Sequence, residues 1–174
     1  QSNPIVKGIL FIAELLIKGY LRTGDPSMFD IGPIYTMFSG STIEGFRLRV
    51  GGETTANLSP NFFTKGYMAF GFRDKKIKYG LDFEYSFYDK SYHAREYPVN
   101  SLAVNLTSDI KTLGEEPVGS PSDNWAYSIK RMAIYNMMYY KQLKLQYMYE
   151  DMSGFSVNPW IKTEYQIPTD SIRF

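Results

Sequence analysis

Along Ile77–Tyr88 the apolar positions recur every second residue. Ile77, Tyr79, Leu81, Phe83, Tyr85 and Phe87 share one face, and Lys78, Gly80, Asp82, Glu84 and Ser86 share the other. That is the period of a β-strand. A dozen residues at about 3.3 Å each give roughly 40 Å, or about 28 Å when tilted near 45°, enough to cross the hydrocarbon core of a bilayer. Aromatic residues stand near both ends of the apolar face and charge lies on the other, as a barrel wall between lipid and a wet lumen requires. A half-buried strand of a soluble sandwich or a lipocalin-like barrel carries the same alternation, usually over fewer residues.

The period of two recurs through most of the chain. Gly32–Ser39 is a first candidate strand, with Gly40-Ser41 as its turn. In Ile43–Glu53, Phe46, Leu48 and Val50 oppose Arg47 and Arg49. Thr54–Pro60 turns the chain into Phe62–Phe72, where Met68, Phe70 and Phe72 oppose Lys65, Tyr67 and Arg73. Arg73–Lys76 is a tight charged hairpin into Ile77–Tyr88. After the polar loop Asp89–Pro98 come Val99–Ser108, the long loop Asp109–Asn124, and Trp125–Met138, which fits helix and strand templates equally. Tyr139–Tyr149 alternates again, Asp151–Gly154 turns, and Phe155–Ile167 closes the series. Pro159 costs this last strand a ladder bond and marks an edge, a bulge or a register fault.

Only Ile5–Ile17 has a helical stripe, with Ile5, Ile9, Ile12 and Leu16 aligned, Asn3-Pro4 as start and Gly19 as stop. It is too short to span a bilayer and reads as a core-packed helix or an interfacial one. Thr23–Asp30 is turn chemistry. Roughly seven strands joined by hairpins, without crossover helices, predict an all-β antiparallel up-and-down meander forming a barrel or part of a larger one. The expected organisation is an N-terminal helix and turn segment over residues 1–30 and a barrel region over 31–174.

Composition narrows the function classes. The net charge of +1 comes from scattered Lys and Arg, so nothing resembles a nucleic-acid groove. There is no cysteine, hence no disulfide framework, thiolate metal site or cysteine nucleophile. Aromatic residues make up 17% of the chain, with 15 Tyr and 12 Phe, which suits the interfacial girdles of a transmembrane barrel. No apolar run of about 18 residues exists for a membrane helix. The absence of a signal peptide at Gln1 and the stop at Phe174 fit a processed or excised piece of something longer.

Two runs carry a family resemblance: Ser41–Gly52 (STIEGFRLRVGG) and Gly66–Lys75 (GYMAFGFRDK). With Tyr79-Gly80 and the Gly154-Phe155-Ser156 turn, they resemble a Bacteroidetes outer-membrane family. It joins a carboxypeptidase-like regulatory domain to a domain of unknown function similar to the surface-antigen and barrel-assembly-factor barrel. The resemblance covers most of the chain but only part of the family's length. It implies a bacterial outer-membrane location, the lipid bilayer as partner, and the rest of a larger barrel or other envelope proteins beside it. It hands over no catalytic residues.

The residues themselves offer little catalysis. Asp82 and Glu84 stand about 6–7 Å apart on one face, as an acid/base pair could, but nothing else marks a sugar site. His93 is the single histidine and lacks a zinc or triad partner set. No enzyme, cofactor or metal is expected. The expected lumen charge cluster is Glu44, Arg47, Arg49, Asp82 and Glu84, and the expected lipid-facing set is Phe46, Leu48, Val50, Leu81, Phe83 and Tyr85. With a solvated partner, Arg47→Ala should cost about 1 kcal/mol. Two classes follow: a non-enzymatic outer-membrane barrel with a structural, assembly or transport role, or a soluble lipocalin-like module whose apolar face lines a cavity.

Overall fold

The computed structural model describes residues 19–112 and 136–169. Ten strands make one antiparallel sheet: β1 (Leu21–Arg22), β2 (Phe29–Ile31), β3 (Phe38–Ser41), β4 (Gly45–Thr54), β5 (Phe62–Gly71), β6 (Ile77–Ser86), β7 (Val99–Thr112), β8 (Met137–Glu150), β9 (Ser156–Val157) and β10 (Trp160–Pro168). The spatial order is β1-β2-β4-β5-β6-β7-β8-β10, with β3 beside β4 and β9 beside β8. The antiparallel meander read from the sequence is therefore present, and β6 pairs with β5 through the Arg73–Lys76 turn. Among the described residues the sheet is open, with β1 and β10 as its edges. Their longest helix is the 3-10 turn Ile34–Thr36. The expected helix Ile5–Ile17 and most of the long loop lie outside the described residues.

Four sequence assignments need correction. Gly32–Ser39 is not one strand. Ile31 sits opposite Gly52 and Phe38 opposite Leu48, so the chain takes seven steps on one side against four on the other. Pro33, which cannot donate a ladder bond, opens the 3-10 turn that absorbs the excess, and Gly40-Ser41 lies within β3. Thr23–Asp30 is not all turn, because Phe29 and Asp30 pair with Thr54 and Glu53. β1 and β2 thus belong to the same sheet as the strands that follow them. The strand expected to stop at Ser108 runs on through Thr112, and β7 pairs with β8 over its whole length.

Phe155–Ile167 is split at Asn158-Pro159, with Val157 opposite Tyr149 and Trp160 opposite Gln146. The register is the same on both sides of the proline, so there is no bulge. The ladder skips one donor, on an edge strand, where that omission is tolerated.

The sheet buries its polar face and exposes its apolar one. Its largest fully buried side chains, among the described residues, are Arg47, Lys78, Met137, Glu44, Thr36, Thr55, Ser86 and Ser101. Only Met137 is apolar. On the other face Leu81, Leu106 and Leu143 share one register row, and Phe83, Val104, Leu145 and Ile161 share the next. Leu81, Leu106, Leu143, Leu145 and Ile161 are exposed, as is Met68 at 62%. The sheet curves around its polar face. Arg47 on β4 reaches Asp109 on β7, three strands away, or about 14 Å along a flat sheet.

Candidate functional site

The concave face has two differently built ends. The hairpin end gathers the β3–β4 turn (Thr42–Glu44), the β5–β6 turn (Phe72–Lys76) and the start of β8. Arg47 donates to both oxygens of Asp109 at 2.7 and 2.9 Å, a bidentate pair, and to Glu44 Oε1 at 3.0 Å. Lys78 Nζ lies 2.9 Å from Glu44 Oε1 and 2.6 Å from Asp74 Oδ2. The Tyr139 hydroxyl donates to Asp74 at 2.8 Å and the Tyr67 hydroxyl to Asp109 at 2.5 Å. A continuous chain, Tyr139–Asp74–Lys78–Glu44–Arg47–Asp109–Tyr67, therefore crosses the concave side. Arg47 and Glu44 are fully buried, and Lys78 is 2% exposed.

Missing side chains make room for it. A Cβ at Gly80 would stand 2.3 Å from Tyr67 Cε1, so only glycine lets the ring lie flat toward Asp109. Arg49 caps that ring from 3.7 Å above its centroid, a cation–π contact in a desolvated place. A Cβ at Gly71 would meet Asp74 Oδ1 at 2.4 Å and Lys78 Nζ at 2.7 Å. Gly45, at φ +65°, takes the left-handed conformation that lets the turn after Glu44 enter β4.

The opposite, loop end holds a cavity of about 590 Å³. One register row lines it, running Glu53, Lys65, Asp82, Asn105, Lys144. Four cations (Arg22, Lys65, Arg95, Lys144) balance four carboxylates (Asp30, Glu53, Asp82, Glu84) around it. The 87–98 loop lies over this cavity as a strap. The Tyr92 hydroxyl donates to Asp30 at 2.8 Å, and Ala56 N–H donates to Tyr92 O at 2.9 Å. Within the strap Lys90 Nζ donates to the carbonyls of Glu96 and Pro98 at 2.5 and 2.6 Å. Burial pushes the Glu96 carboxyl up, but the N–H groups of His93, Ser91 and Tyr92 outweigh it and hold it below the usual range. The ion pairs here are looser, Lys65–Glu53 at 3.5 Å and Arg95–Glu84 at 3.9 Å, and His93 Nδ1 lies 3.6 Å from Glu53.

The expected cluster is thus divided. Glu44, Arg47 and Arg49 come together at the hairpin end, whereas Asp82 and Glu84 sit at the loop end. Asp82 accepts from Asn105 at 2.6 Å and Glu84 from Ser101 at 2.7 Å. Of the expected lipid-facing set, Phe46, Leu48, Val50, Leu81 and Tyr85 are exposed on the convex side, and Phe83 is half-buried against Phe62. Asp109, Lys78, Asp74, Tyr67 and Tyr139 were not anticipated as cluster members. The signal for Asp109 was available, because Ser101, Ala103, Asn105 and Thr107 continue in step to Asp109.

No protein family, curated protein or solved structure matches the chain. The outer-membrane family expectation therefore rests on the sequence runs that suggested it.

Among the described residues no group of three or more His, Asp or Glu is placed to hold a metal ion. What the arrangement offers is electrostatic: a fixed ionic chain at one end, and a charge-balanced cavity at the other.

Proposed function

We propose that this chain is a wall segment of a non-enzymatic bacterial outer-membrane β-barrel, with its convex face on lipid and its charged concave face on the lumen. Its role would be structural, or in assembly or transport, within the family that the STIEGFRLRVGG run resembles. The observation that carries the reading is the inversion of burial. In water, each large apolar side chain of the convex face forgoes roughly 1.5–3 kcal/mol of burial, while each buried ion of the concave face costs several kcal/mol before pairing. A bilayer reverses the sign of the first quantity and leaves the second side wet or paired.

Further support comes from dimensions. β6 is 10 residues long, about 33 Å, or about 23 Å when tilted, close to the apolar band of an outer-membrane barrel. Phe38, Phe46, Phe72 and Phe70 form a continuous aromatic row at the hairpin rim, with centroids 6.1, 5.6 and 5.3 Å apart, where a girdle is expected. No helix among the described residues is long and apolar enough to cross a membrane, which bears only on helical spans. The lipocalin-like alternative needs large apolar residues around the cavity, and most of the residues around this one are charged or polar by type. Solubility decides between them. The purified chain should aggregate without detergent and become monodisperse with it; a detergent-free monodisperse monomer would reject the membrane reading.

A further inference from the structure

We propose that the concave side is a blind vestibule for small polar solutes, open at the loop rim and sealed at the hairpin rim, so that this part of the wall supports no through-pore. The inference rests on the membrane reading above and goes beyond it by separating a solute-holding role from a conducting one. At the hairpin rim, Arg47, Glu44, Lys78 and Asp109 bond to one another across four strands with almost no exposed surface. A solvated ion passing there would have to break a bidentate Arg–carboxylate pair and leave buried charges without partners. Gly71 and Gly80 bring these groups together at the places where a side chain would hold them apart.

The loop rim is built the other way. Its cavity of about 590 Å³ falls within the usual range for small-molecule sites. Its balanced charges present no net field to attract or repel an ion. Donors and acceptors of both kinds line it, including Asn105, Gln146 and Lys144. Such a lining favours small polar solutes that are neutral overall. The strap narrows the opening without filling the cavity, since Tyr92 and Arg95 are themselves part of the lining.

The chain has no cysteine, so one introduced thiol reports on one place. The full chain, reconstituted in liposomes, would carry either Gln146→Cys in the vestibule or Ala69→Cys, 2% exposed on the same face beside the ionic chain. Protease protection reads insertion separately. A charged, membrane-impermeant maleimide, added from either side, should label the Gln146 variant at least 100-fold faster than the Ala69 variant, and from one side only. Planar bilayers carrying the unmodified chain should show no stepwise conductance. Labelling of both thiols within tenfold, labelling of the Gln146 variant from both sides, or discrete conductance steps in protected, inserted protein would overturn the vestibule and leave the membrane reading standing. Failure to insert would overturn both.

Discussion

At the hairpin rim Arg47 meets Asp109 through two bonds of 2.7 and 2.9 Å and is fully buried. At the loop rim Arg95 stands 3.9 Å from Glu84 with 72% of its side chain exposed. Both pairs lie on the concave face, both join an arginine to a carboxylate, and they differ in what water is allowed to do. Around Arg47 the glycines and facing strands exclude solvent, so each charge depends on its partner. Arg95 is itself open to solvent, so the partner is optional. Alternation in the sequence selects the face; closeness of packing selects which of these two regimes a charge enters.

The sharpest way to break that contrast is to remove both arginines in turn. Arg47→Ala leaves Asp109 without its bidentate cation and Glu44 with Lys78 as its remaining ion pair, and should cost about 3–5 kcal/mol, the usual penalty for removing one partner of a buried pair. This replaces the figure of about 1 kcal/mol that a solvated partner would give. Arg95→Ala should stay below about 1 kcal/mol, as for exposed pairs. Urea unfolding in detergent measures both, and equal losses would mean that the two rims are not different environments.

Leu48→Arg tests the wall between the faces, because Leu48 is next to Arg47 and points the other way. On lipid it should cost about 2–4 kcal/mol if it lies at mid-depth, read as lower folded yield in bilayers. Normal insertion of Leu48→Arg beside failure of Arg47→Ala would place lipid on the wrong side.

Gly80→Ala asks whether room, more than charge, builds the hairpin rim. The added methyl would push the Tyr67 ring away from Asp109 and from beneath Arg49. Overpacking of this kind costs roughly 1–3 kcal/mol, and Gly80→Ala with Tyr67→Leu should recover part of it. If Gly80→Ala is neutral in thermal unfolding, the ring is not held as described.

Much of this was legible in the chain. Period two put Arg47 and Arg49 opposite Phe46, Leu48 and Val50, and the structure keeps them there. The hairpin at Arg73–Lys76 was legible because matched apolar runs flank a short charged turn. Three things were not. Asp109 and Lys111 read as loop because charge at a strand end looks like a turn, although the alternation continues through them. Gly32–Ser39 reads as a strand because Ile34 and Phe38 are apolar, but Pro33 has no N–H to give the ladder. The meeting of Arg47 with Asp109 depends on curvature across three strands, and no local pattern encodes that distance.

The smallest expected effect lies beyond both rims, in the turn between β8 and β9, and it calibrates the others. Asp151 Oδ1 accepts from the Ser153 hydroxyl at 2.5 Å and from the N–H groups of Ser153 and Phe155 at 2.8 and 3.2 Å. The Ser153 hydroxyl, chiefly, holds its carboxyl below the usual range, against a smaller opposing push from desolvation. A carboxyl depressed in the folded state stabilises the turn above its unfolded pKa of about 3.9, and that contribution disappears as the pH falls through the folded value. Protection of the Phe155 amide from hydrogen exchange should therefore hold at neutral pH and decline in acid, after correction for the intrinsic exchange rate. Asp151→Asn keeps an acceptor oxygen but has no proton to gain, so its protection should be flat over the same range. The ionic chain at the hairpin rim should be indifferent to Asp151→Asn, because the turn lies at the opposite end of β8. An acid decline that persists in Asp151→Asn would assign the titration to another group and remove this turn from the account.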